Sequence, residues 1–150
     1  MCVSHLPTFG SVMSRRSRAR EVVLQVLYQD DLNPGRSLNE DDEFMAGRLN
    51  QDEELLTFAT SLLSGVRRNR GELDELLGRS ADNWSLDRMA VTDRNVLRLG
   101  AYEILYADTP PRVAINEAVD LAKRFGAKQS PQFVNGILDR LLHESQGDEA

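Results

Sequence analysis

At 150 residues, 41% hydrophobic and 28% charged, the chain is long enough to bury a real hydrophobic interior and fits one domain or two small helical subdomains sharing a core. Its formal net charge of -6 excludes indiscriminate nucleic-acid binding, so any such contact must come from a local basic patch. The single cysteine, Cys2, excludes an internal disulfide, no Cys/His spacing resembles a zinc site, and no apolar run approaches the roughly 20 residues of a membrane span. With no signal-peptide pattern at the start, the expected compartment is the cytoplasm.

Residues 1–13 contain Pro7, Gly10 and no sustained period, so they read as a flexible leader, with Met13 as an alternative start. From Ser14 to about Asp31 the apolar positions Ala19, Val22, Val23, Val26 and Leu27 recur at three and four residues, which predicts the first helix. Asn33-Pro34-Gly35 is a turn signal, and the acidic stretch Glu40 to Glu43 leads into a short second helix through Phe44, Met45 and Leu49. A long third helix is expected from about Asp52 to Leu77, broken or kinked at Gly71. Trp84, in the polar connector that follows, reads as a plug between helices rather than a ligand platform.

Thr92-Asp93 offers an N-cap for a helix through Val96, Leu97, Leu99, Gly100, Ile104 and Leu105, and Pro110-Pro111 ends anything before it. Pro111 opens a helix with Val113, Ala114, Ala118, Val119, Leu121 and Ala122 inside and Gly126 as its C-terminal cap. Ser130 and Pro131 open the last helix, which buries Phe133, Val134, Ile137, Leu138, Leu141 and Leu142. No alternating strand pattern competes, so the class is all-α: about six to seven helices in two subdomains, 14–80 and 81–145, with a frayed tail over 146–150. Gly65, Gly100 and Gly136 are expected where another backbone comes close, and Asn116 and Asn135 as buried, hydrogen-bonded amides.

Four arginines, Arg15, Arg16, Arg18 and Arg20, crowd the expected start of the first helix. Positive charge there opposes the helix macrodipole by roughly 0.3 to 1 kcal/mol per exposed charge. A polyanion on that face offsets the cost, since arginine and phosphate form charge-assisted pairs that release counterions. The alternative is a solvated basic tip. Catalytic groups cannot be assembled: His5 lies in the leader, His143 near the end, the carboxylates sit in exposed runs, and no phosphate-cradling glycine loop occurs. The chain therefore reads as a non-enzyme without metal or cofactor.

Arg16-Ser17-Arg18-Ala19-Arg20-Glu21 followed by Leu24-Gln25-Val26-Leu27-Tyr28, the run from Asp93 to Leu105, the run from Val113 to Gly126, and Phe133-Val134-Asn135-Gly136-Ile137-Leu138-Asp139 together closely resemble the NusB transcription antitermination factors. The resemblance runs from about Ser14 to Leu142. It implies a compact all-helical fold that binds the box A element of ribosomal-RNA transcripts together with NusE, a small-subunit ribosomal protein. NusA and NusG complete the complex on RNA polymerase that suppresses premature termination.

The RNA-binding positions the resemblance implies are Arg15, Arg16, Arg18 and Arg20, with Lys128 for a phosphate, Gln129 and Gln132 for base edges, and Phe133 either stacked on a base or packed in the core. For the protein partner it implies Tyr28, Asp87 and Asp93, an acidic surface suited to a basic protein. Asp stands at 87 and 93 where other members carry Glu, and Ser17 interrupts the arginine run. Monomer and homodimer both remain compatible with it. Two alternatives compete: the RNA-binding helical domain that precedes the catalytic domain of some ribosomal-RNA cytosine methyltransferases, and a protein-only helical adaptor. The sequence shows no S-adenosylmethionine-binding βαβ region and no catalytic cysteine pair, which argues against the first.

Overall fold

The computed structural model describes residues 6–147, with side chains described from Arg15 onward. Seven α-helices follow one another: α1 (Leu6–Leu32), α2 (Asp41–Arg48), α3 (Glu53–Arg68), α4 (Arg70–Ser80), α5 (Val91–Tyr106), α6 (Pro111–Phe125) and α7 (Ser130–Gly147), with a 3-10 turn at Leu86–Arg88. No strand occurs among the described residues. The chain divides into two compact units between Leu63 and Ser64, inside α3. The expected division at 80/81 differs because α4 packs against α5 and α7, which places it with the C-terminal helices.

In the first unit the stripe Ala19, Val22, Val23, Val26 and Leu27 of α1 is buried as the helical period demands. Arg36 ties the end of α1 to the start of α2, its Nη2 lying 3.1 Å from both Asp30 Oδ1 and Asp41 Oδ1. Met45, fully buried, anchors α2. The leader expectation is corrected over residues 6–13, which are the first turns of α1, while residues 1–5 lie outside the described ones. At the other end α7 continues helical through Gly147, so the expected frayed tail is reduced to residues 148–150, also outside them.

The single long helix expected over 52–77 is two helices, and the break falls at Asn69 rather than Gly71. The Asn69 amide Nδ2 donates to the Gly65 carbonyl at 2.8 Å, the kind of side-chain to backbone competition that makes asparagine a poor helix interior residue. Gly71 sits inside α4 with open space where a Cβ would go.

In the second unit α5 is the central helix, packed on α4, α6 and α7, and α6 packs on α7. Gly100 permits the closest approach: a Cβ there would stand 2.7 Å from Leu138 Cδ1 and 3.2 Å from Ala118 Cβ. At Gly65 the ring of Tyr102 fills the space a Cβ would take. Gly136 is different, exposed with nothing nearby, and Asn116 and Asn135 are exposed too, so the expected packing roles of all three are corrected. They lie on the solvent faces of α6 and α7. At the start of α5 the N-cap position is Ala90 without a side-chain cap, and Thr92 and Asp93 fall within the first turn instead of preceding it.

The core of this unit also holds a polar group that the hydrophobic pattern did not reveal. Arg98, on α5, is 3% exposed, and its Nε and Nη2 donate to the two carboxylate oxygens of Asp74 on α4 at 2.7 and 3.1 Å. Its Nη1 donates to Asn95 Oδ1 at 3.0 Å, and Asn95 Nδ2 donates in turn to the Val91 carbonyl at 2.9 Å. A guanidinium fork matched to a carboxylate is the geometry in which a buried charge is tolerated.

Candidate nucleic-acid interface

The arginine cluster occupies the middle of α1. Arg15 is the tenth residue of a helix that begins at Leu6, so none of the four faces the positive end of the macrodipole, and the electrostatic conflict expected from the sequence is absent. What remains is a concentration of positive charge on an acidic chain, and the helix sorts its four members to different surroundings. Arg15 pairs with the Asp52 carboxylate, which precedes α3. Arg16 and Arg18 are exposed. Arg20, one turn beyond Arg16, is 4% exposed. Phe58, on α3 in the same unit, lies beneath the guanidinium groups of both Arg16 and Arg20, with Cζ to ring-centroid distances of 4.4 and 5.1 Å.

In the second unit the corner between α6 and α7 carries Lys128, Gln129 and Gln132, all exposed. Ser130, 3% exposed, fixes the corner: its hydroxyl oxygen accepts the Ala127 amide at 2.9 Å. Gly126 ends α6 with extended backbone, φ -97° and ψ -171°, and its N–H bonds back to the Ala122 carbonyl, so the expected C-terminal cap is met without a left-handed residue. Phe133 is half-buried, held edge-on against Trp84 with ring centroids 5.9 Å apart and planes at 83°. Trp84 itself is 47% exposed, which corrects its reading as a plug. The left-handed pair Asp82 and Asn83 turns the chain beyond α4 and delivers the indole to an open groove lined with Asp74, Glu75 and Asp87.

For the expected protein contacts, Tyr28 is exposed on α1. Asp87, in the second unit, is exposed within the 3-10 turn, its backbone N–H donating to Ser85 Oγ at 3.2 Å. Asp93 is half-buried in the first turn of α5, and its Oδ1 is buried without a hydrogen-bond partner. The amide ends of α5 compensate such a carboxylate electrostatically.

Comparison with known proteins decides the family. A model of the NusB family matches residues 17–143. The chain belongs to the NusB family. It is 42% identical to the transcription antitermination protein NusB of Desulfosudis oleivorans, over 92% of each chain. The solved NusB of T. maritima superposes with a TM-score of 0.77 at 35% identity, covering 90% of this chain and 97% of that one. A NusB solved with NusE and double-stranded RNA gives a TM-score of 0.73 at 26% identity, covering 88% and 98%.

A NusB protein is a non-catalytic factor, so the surfaces above matter for what they hold rather than what they transform. Among the described residues no helix is long and apolar enough to cross a membrane. Within this NusB chain Arg20 is set apart from Arg16 and Arg18: its side chain is 4% exposed and lies over Phe58. The sequence did not separate it from Arg16, because both lie on one helical face and only tertiary packing distinguishes them. Phe58, half-buried on α3, was not singled out in the sequence, because only tertiary packing brings it under the arginines.

Asp52 joins the basic cluster to α3. Its Oδ1 accepts the Leu55 amide at 3.1 Å, and its carbonyl accepts that of Leu56, which makes it the N-terminal cap of α3. The hydrogen bond from Leu55 and the Arg15 guanidinium hold its carboxyl below the ordinary carboxylate value. A carboxyl whose folded-state pKa is depressed contributes stability above its unfolded pKa, and that contribution is lost as pH falls through the folded value. Asp52→Ala is therefore expected to lower the thermal midpoint by a few degrees at pH 7. The difference from the parent should shrink as pH falls below the ordinary carboxylate range and Asp52 is protonated in the folded state as well, as read by circular dichroism melts across pH.

Proposed function

We propose that this chain binds box A RNA of ribosomal-RNA transcripts together with NusE and so suppresses premature termination in the cytoplasm, as part of a complex with NusA, NusG and RNA polymerase. One observation carries the reading. In a chain of net charge -6, α1 concentrates four arginines, of which Arg15, Arg16 and Arg18 are exposed. The solved relative crystallised with NusE and double-stranded RNA supports both classes of partner.

RNA is then held by Arg16 and Arg18 on the first unit, with Arg15 available on exchange of its Asp52 partner. On the second unit Lys128 takes a phosphate, Gln129 and Gln132 address base edges, and Phe133 offers its ring while Trp84 fixes its orientation. NusE meets Tyr28, Asp87 and Asp93, where acidic charge steers a basic protein and sets association rate more than affinity.

Fluorescence anisotropy of labelled box A RNA against a scrambled RNA, with and without NusE, tests this at several salt concentrations. The expected result is tighter, NusE-enhanced binding to box A whose logarithmic salt slope is about -0.7 per phosphate engaged. Arg18→Ala should reduce that slope by about one phosphate's share and leave NusE binding unchanged. Equal affinity for the two RNAs in every condition would return the chain to a protein-only adaptor.

A further inference from the structure

The four arginines are not equivalent sources of charge, and the difference at Arg16 points beyond phosphate binding. Arg15 has its carboxylate, Arg20 is buried, and Arg18 is exposed on the helix. Arg16 alone combines exposure with an aromatic brace, its guanidinium carbon lying 4.4 Å from the centre of the Phe58 ring. Arg20 lies over the same ring one turn away, at 5.1 Å and 4% exposed, so a second, buried guanidinium also holds Phe58.

A guanidinium is a delocalised plane, and its weak hydration lets it rest on an aromatic face while its in-plane N–H groups stay free to donate. Bracing removes rotamer freedom before any ligand arrives, so less is lost when a second flat group is added. The natural second group is a nucleobase, since unstacked bases of single-stranded RNA are held on arginine planes as well as on aromatic rings.

We infer that Arg16, braced on Phe58, is a base-stacking residue that holds one unpaired nucleobase of the bound RNA on its outer face, with Phe58 and Arg20 as its positioning residues. The inference rests on the reading that this face of α1 meets RNA. Arg18 then supplies charge for the backbone, and Arg16 supplies selection for an unpaired base over a duplex.

Arg16→Lys separates plane from charge, because lysine keeps the positive charge and loses the flat face. Anisotropy with single-stranded box A RNA, measured with NusE present, should show affinity about tenfold weaker in Arg16→Lys, with an unchanged salt slope. Against a set of oligonucleotides each lacking one base, one abasic position should cost the parent protein a similar factor and cost Arg16→Lys nothing further, the non-additivity expected of groups in contact. Phe58→Leu, with helicity checked by circular dichroism, should weaken the same position and no other.

RNA binding of equal strength in the parent and in Arg16→Lys would overturn the stacking role while leaving the RNA-binding function standing. A loss in Arg16→Lys that appears equally with every abasic oligonucleotide would overturn it as well, reducing Arg16 to a backbone contact. Absence of RNA binding by the parent protein in all conditions would remove the functional reading itself and this inference with it.

Discussion

Asp74→Ala is expected to destabilise the second unit by about 3 to 5 kcal/mol, enough to unfold much of the protein near physiological temperature. Arg98 has a side chain only 4% exposed, and its fork is bonded across both Asp74 oxygens. Removing the acid takes the fork-matched carboxylate away from a buried charge that Asn95, itself neutral, does not balance.

The cost comes from keeping a charge buried without its carboxylate more than from the lost attraction, and this yields a discriminating companion. Replacing both partners, Arg98→Met with Asp74→Leu, should recover much of the loss, because a buried ion pair and an apolar pair of similar volume are often close in stability. Chemical denaturation of the single and double variants reads both effects; a double variant as unstable as Asp74→Ala would mean that the pair also serves a packing role that methionine and leucine do not fill. Arg70 lies 4.0 Å from Asp74 and is solvent-exposed, so it adds little to the balance.

Arg98 also marks where sequence reasoning stops. The apolar period of α1, α6 and α7 was legible because each of those helices buries one stripe and leaves the opposite face to water, and Val22, Ala118 and Leu138 are all buried as that period requires. Helix α5 is surrounded by α4, α6 and α7, so its residues are buried nearly all round and periodicity no longer separates core from surface. A charged residue between Leu97 and Leu99 then reads as an exposed position, although it is paired inside.

The candidate interface was legible at the level of residue type and blurred at the level of side chain. Arginines clustered in an acidic chain are visible in the sequence, whereas the sorting of Arg16 from Arg20 depends on Phe58, which approaches from a helix some forty residues away. The helix start was misplaced because Pro7 and Gly10 are poor helix residues, yet both fall in the first two turns of α1, where a proline costs least. The break at Asn69 was assigned to Gly71 because glycine has the lower helix propensity, while the side-chain bond that favours the break belongs to the asparagine.

Gly126→Ala is expected to cost about 2 to 3 kcal/mol and to disturb the α6 to α7 corner selectively. Its φ of -97° is open to any residue, so the requirement for glycine is one of space. A Cβ would stand 2.6 Å from Ser130 Oγ, 2.7 Å from Ser130 Cβ and 2.9 Å from the Ala122 carbonyl oxygen. The last of these is backbone held in α6, and Ser130 is buried, so neither neighbour yields cheaply. Relief must come from moving Ser130, whose hydroxyl accepts the Ala127 amide and so sets the path of the chain through Lys128 and Gln129. Thermal melts should therefore show the stability loss, and anisotropy below the melting range should show weakened RNA binding with NusE binding retained. Ser130→Ala serves as the control: it removes the hydroxyl that bonds Ala127 but introduces no clash, so it should loosen the corner at a smaller stability cost. If Gly126→Ala lost stability but bound RNA normally, Lys128 and Gln129 would be removed from the interface, since their backbone could not shift without their side chains following.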